Sequence, residues 1–179
     1  FGLQLATFIF YNKQSRHSIR SYNKIPVELD IIKKVLELAA CAPSACNRQP
    51  IKVYITTNPK TVTDMSELIP GNKGFENEIP NWALVTVNRQ MFNIGEPLQW
   101  YVNGGIYISY LINAFHAYRI GSCIFQIPAS HCNTPKIRSL ARIPKNEALI
   151  AAVGFGYAKD ENKFAVAQRR PVDETIVSF

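Results

Sequence analysis

The sequence predicts an α+β fold, on three observations. Helical and strand patterns are mixed along the chain without a regular β-α-β rhythm. Three short apolar segments, 51–57, 83–87 and 148–153, have the composition of strands. A segment over 97–118 is apolar nearly all round at helical spacing, which predicts a central, buried helix. The 179 residues are 47% hydrophobic and 18% charged, the make-up of a packed globular chain rather than a disordered one. The length suits a single domain over 1–179.

Each element has its own reason. Residues 1–13 read as a first, buried helix rather than a signal peptide, because no basic region precedes the apolar run and no small-residue cleavage site follows it. Residues 28–41 place Ile31, Ile32, Val35, Leu36, Leu38 and Ala39 at helical spacing, with acids Glu28 and Asp30 in the first turn. Ala42-Pro43 ends that helix. Ile51 to Thr57 alternates and is β-branched, which makes a strand. A short helix covers 60–68, and Pro70 to Gly74 is a loop. Ala83 to Val87 is a strand buried on both faces. The long helix over 97–118 stops before Ile120-Gly121, Cys123 to Phe125 is a short strand or an extended link, and Pro135 opens a helix through about 141. The strand 148–153 is left by Gly154-Phe155-Gly156, which reads as an exit turn.

The charge balance is +7. A basic surface favours anionic ligands, though many basic domains carry none. Residues 13–24 hold four positive charges and no acid, and Arg169-Arg170 forms a second basic spot. Basic residues are not interleaved with aromatics, and no basic recognition helix is present, which argues against nucleic acid as the partner. No apolar run approaches the roughly 20 residues that span a bilayer, so no membrane segment is expected. Cys41, Cys46, Cys123 and Cys132 form neither C-x-x-C nor a zinc-ligand pattern. They read as reduced thiols of a cytoplasmic chain, with a Cys41–Cys46 disulfide as the alternative. No metal site is expected.

The common hydrolase, metalloprotease and phosphate-loop motifs are absent. His116 lies in the apolar helix and reads as a satisfied core histidine. Two segments carry chemistry. Arg16-His17-Ser18-Ile19-Arg20 offers two guanidinium groups, an imidazole and a hydroxyl, a set suited to phosphate. The alternative is a solvated basic loop. The second segment, Pro43-Ser44-Ala45-Cys46-Asn47-Arg48-Gln49-Pro50, is bracketed by prolines and presents donors and acceptors suited to a heterocycle and its polyol. The alternative is an ordinary connection between helix and strand.

Together these segments resemble the nitroreductase family of flavoenzymes, which pairs an R-x-S-x-R-like opening with a P-S-x-x-N-x-Q-P loop. The resemblance extends to Tyr101 through His116, to Arg119-Ile120-Gly121, to Val153 through Tyr157 and to Gln168-Arg169-Arg170-Pro171. It implies a three-layer sandwich with a central mixed or antiparallel sheet flanked by helices. It also implies a homodimer with two FMN sites shared across the interface. Carried over, Arg16 and Ser18 would bind the phosphate and ribityl chain, with His17 beside them. Arg20 would lie by the pyrimidine edge of the flavin. Pro43, Ser44, Ala45 and Asn47 would come from the partner subunit, with Gln49 near the ring. Ile124, Phe125 and Gln126 would line the flavin, and Arg169 with Arg170 would close on the phosphate. The chain departs from the family pattern at Ile51, where an aromatic residue is common, at Ala167, where some members have lysine, and at Ile120 in the glycine turn.

The implied activity is an FMN-dependent transfer of hydride from NADH or NADPH to a small acceptor such as a nitroaromatic, quinone or enone. No side chain need be a catalytic acid or base, since the flavin carries the chemistry. Two alternatives stand beside it: a flavin enzyme of the same fold with another redox task, such as reductive substituent removal or heterocycle oxidation, and a non-catalytic basic dimer that binds a polyanion.

Overall fold

The computed structural model describes residues 15–163, 165 and 167–177. The helix expected over 1–13 lies outside the described residues. The elements are α1 (Leu29–Ala39), β1 (Ile51–Thr56), α2 (Pro59–Leu68), β2 (Asn81–Asn88), α3 (Gln99–Ala117), β3 (Gly121–Gln126), α4 (Thr134–Leu140) and β4 (Glu147–Gly156). Local chemistry explains several boundaries. Asp30 sits in the first turn of α1, which turns Ile32, Val35 and Ala39 inward. Asn58 caps α2 by accepting from Thr61 N at 3.1 Å, with Pro59 at the first helical position.

The sheet is antiparallel throughout, in the order β1-β2-β4-β3. β2 and β4 are central, and Asn81 through Val87 are all buried. Alternation along the strands makes two cores. Ala83, Val85, Val153 and Phe155 pack with Val35 of α1 and with Leu111 and Phe115 of α3. Trp82, Leu84, Phe125 and Ala152 pack with Met65 of α2 and Ile137 of α4. The chain is therefore a three-layer sandwich. β1 and β3 are its opposite edges.

The structure differs from the sequence reading in three places. α3 is not buried all round. Leu111, Ala114 and Phe115 face the sheet, whereas Tyr101, Val102 and Tyr110 are 46%, 52% and 42% exposed. An apolar composition alone does not say which neighbour covers a face, and no described element covers this one. Gly154 and Gly156 are not an exit turn. They end β4, where Phe155 pairs with Asn81 and Ser122. A Cβ on Gly156 would lie 2.4 Å from Pro80 Cγ, so this glycine serves close packing. The short strand expected at 123–125 runs from Gly121 to Gln126 because β4 continues far enough to pair with it. All four cysteines are free thiols.

Candidate functional site

The basic segment lies along the β3 edge. Ser18 forms a parallel bridge with Ser122, and Ile19 N donates to Ser122 O at 3.1 Å. Buried Tyr22 holds the segment from below. Its hydroxyl donates to Ile19 O and lies 3.3 Å from Gly154 O, and this burial pushes its pKa up. Gly121 permits the contact, because a Cβ there would stand 2.9 Å from Ile19 Cβ.

Two clefts flank this junction. One, of about 480 Å³, is lined by Arg16, His17, His116, Arg119 and Ser122 among others. The second, of about 370 Å³, is lined by Arg20, Gly71, Ile124, Phe125, Gln126 and His131 among others. Arg16 and His17 thus line one cleft, Arg20 lines the other with Ile124, Phe125 and Gln126, and Ser18 lies at the bridge to Ser122.

The electrostatics favour an anion. Burial and the adjacent positive charge of Arg169 both press the Arg16 guanidinium below its ordinary pKa. Among the described residues, the ion pairs engage Lys33, Arg48, Lys52, Lys60 and Lys159, so none neutralises Arg16, Arg20 or Arg169. Arg170 is exposed, and no described contact ties it to the cleft. Arg20 stands over the Phe75 ring, 6.0 Å from its centroid, and Phe75 leans on Phe125 with ring centroids 5.9 Å apart.

The Pro43–Pro50 loop lies elsewhere in the chain. It runs into β1 at Ile51, whereas the basic segment follows β3. Two strands separate those edges, roughly 14 Å at the usual strand spacing. The loop is nonetheless built. Ser44 Oγ accepts from Gln49 N at 2.9 Å, Asn47 Oδ1 accepts from Gln49 Nε2 at 3.0 Å, and Ala45 N donates to Asn103 Oδ1 of α3 at 2.8 Å. Pro43, Ser44 and Gln49 line a small cleft of about 160 Å³ with Asn103 and Tyr107.

Several residues of these clefts carried no signal in the sequence. His116 is not simply a core histidine. It lines the Arg16 cleft, and its Nε2 lies 2.8 Å from Ser15 Oγ. Burial, then Arg16 and His17, lower its pKa. Cys123 is buried near Arg20 and Arg16, and burial pushes its thiol up. Phe75 and His131 come from loops whose composition is unremarkable, and only the fold places them at β3.

Comparison with known proteins agrees with this architecture. The sequence model of the Nitroreductase family matches residues 14–76. An NADH dehydrogenase of Thermus thermophilus is 26% identical, over 90% of this chain and 91% of that protein. A nitroreductase family protein from Streptococcus pneumoniae superposes with a TM-score of 0.80 at 18% identity, covering 96% of this chain and all of the other. A provisionally named nitroreductase from Desulfovibrio desulfuricans, solved in complex with FMN, gives a TM-score of 0.78 at 20% identity over 96% of both chains. Residues 14–76 thus match the sequence model of the Nitroreductase family, and the whole chain shares its fold with solved structures of nitroreductase family proteins.

Proposed function

We propose that the protein is an FMN-dependent oxidoreductase that works as a homodimer, takes reducing equivalents from NADH or NADPH, and passes them to a small nitroaromatic, quinone or enone. The observation that carries this reading is the half-buried Arg16 beside Arg169, with no carboxylate paired to either among the described residues. Two neighbouring cations without a paired carboxylate are stabilised by a dianion such as a phosphate monoester. The relatives point the same way, since one is named an NADH dehydrogenase and one is solved with FMN.

A bound flavin supplies the hydride chemistry. The residues of this chain supply the rest. Arg16, Ser18 and Arg169 hold the phosphate end, with His17 beside them and Arg170 within reach along the tail. Arg20 offers a charge to the pyrimidine edge, steadied by Phe75. Ile124, Phe125 and Gln126 wall the second cleft. Pro43, Ser44, Ala45, Asn47 and Gln49 sit at the opposite edge and reach a flavin only on a second copy of the chain. The uncovered apolar face of α3 supports the same dimer.

Purified protein is expected to be yellow, to bleach anaerobically with NADH or NADPH, and to scatter light as a dimer at micromolar concentration. A colourless protein that takes up no added FMN would overturn the reading.

A further inference from the structure

The Pro43–Pro50 loop is held in an unfavourable backbone conformation. Six described non-glycine residues have left-handed φ values: Cys46 (52°), Asn47 (52°), Gln49 (49°), Leu98 (68°), Arg119 (58°) and Arg142 (54°). Four of these six flank a single ion pair. Arg48 lies between Asn47 and Gln49, and Glu96 lies two residues before Leu98. Arg48 Nη1 is 2.8 Å from Glu96 Oε1 and 2.9 Å from Oε2. The Arg48 guanidinium also stands over Phe92, 5.4 Å from the ring centroid, and Glu96 Oε2 accepts from Asn93 N at 2.8 Å. Both side chains are mostly covered, at 22% and 28% exposure. The bond to Arg48 and the one from the Asn93 amide hold the Glu96 carboxyl below its usual range.

Left-handed conformations of ordinary residues persist only where surrounding contacts over-determine them. Asn103 fixes the start of this loop, and Ser44 and Asn47 hold Gln49 from within it, while Arg48 ties the strained stretch from Cys46 to Gln49 to a separate segment of the chain. We propose that Arg48 and Glu96 are positioning residues. Their ion pair clamps the 43–50 loop in the shape that meets the flavin, and so controls flavin affinity without touching the flavin. The proposal rests on the shared FMN site described above. Arg48 is not interchangeable with the residues beside it. Its side chain turns back to the β2–α3 connection, which frees Asn47 and Gln49 to face outward.

The test uses the full chain as E96Q and as the exchanged pair R48E/E96R. In flavin-free protein, hydrogen exchange at the Asn47, Arg48 and Gln49 amides is expected to quicken in E96Q and to slow again in the exchanged pair. Flavin fluorescence is expected to show FMN binding weakened about fivefold in E96Q, roughly 1 kcal/mol, with most of it recovered in the exchanged pair. The potential of the bound flavin should not move, since neither residue touches it. Unaltered amide exchange in E96Q removes the clamp, whether or not FMN binds. Faster exchange with unaltered FMN affinity means that the loop does not serve the flavin and also overturns the proposal. Failure of the unsubstituted protein to bind FMN is seen separately and counts against the function rather than the clamp.

Discussion

Ser18 and Ser122 sit opposite each other in a parallel bridge, and that pairing sets where the basic segment points. Arg16 falls into the cleft beneath the C-terminal end of α3. Arg20, four residues later, falls into the cleft beside Gln126 and His131. One extended segment thereby divides its two guanidinium groups between two environments, and their roles should divide as well.

Arg16→Ala is expected to weaken FMN binding roughly tenfold to a hundredfold, the equivalent of one charge-assisted hydrogen bond of about 1.5–3 kcal/mol. Lys34→Ala, on the exposed face of α1, is the control for general charge. Arg138 is unsuited to that purpose, because its guanidinium donates to the Glu147 carbonyl at 2.9 Å and holds the approach to β4. Fluorescence titration of the variants is the measurement. Equal dissociation constants for Arg16→Ala and Lys34→Ala would reduce the basic segment to a solvated face.

Arg20→Ala should separate affinity from chemistry. A charge at the pyrimidine edge interacts more strongly with reduced, anionic flavin than with the neutral oxidised form. The variant is expected to keep much of its oxidised FMN, to show a lower flavin potential and to be reduced more slowly by NAD(P)H. Arg20→Lys should recover part of the loss. Anaerobic redox titration with stopped-flow reduction reads both quantities. Loss of FMN with an unchanged potential would move Arg20 to the phosphate.

Gly121→Ala tests the bridge itself. The added Cβ would meet Ile19 Cβ and Cγ1 at 2.9 Å, and neither is the free end of a flexible side chain. The basic segment must shift away from β3. A loss of about 1–3 kcal/mol in stability is expected, together with weaker FMN binding. Gly95→Ala, which meets nothing within 4 Å, should stay within about 0.5 kcal/mol of the parent. Urea unfolding of flavin-free protein measures the first effect and titration the second.

His116 predicts an acid-sensitive apoprotein. Its folded pKa lies below the ordinary value of 6.5 because of burial, Arg16 and His17. The unfolded chain therefore takes up a proton first as pH falls. Stability is unaffected by this group above that value and is lost as pH drops from 6.5 through the lower folded pKa. His116→Gln should flatten the loss over that window in urea unfolding measured at several pH values. An unchanged slope would mean that His116 titrates normally.

Much of this site could be read from residues that are adjacent in the chain. Arg16, Ser18 and Arg20 lie within five residues, and Pro43 and Pro50 mark their loop without help from the fold. What escaped the sequence depends on long-range pairing. Arg48 finds Glu96 across 48 positions, and Ser15 finds His116 across 101. Neither partner carries a local signal. The apolar face of α3 shows a related limit. Tyr101, Val102 and Tyr110 obey helical periodicity as well as Leu111 does, and periodicity does not distinguish a face that meets the sheet from one that no described element covers.

The placement of Ile51 and Gly121 on opposite edges of the sheet has a genetic consequence. In the proposed dimer a chain contributes its basic segment to one flavin site and its proline-bracketed loop to the other, and so can be damaged in two non-equivalent ways. Mixed dimers of an Arg16→Ala chain and an Asn47→Ala chain carry one site with both lesions and one with neither. Coexpression of two defective alleles is then expected to restore up to half of the flavin sites per heterodimer, although neither allele does so alone.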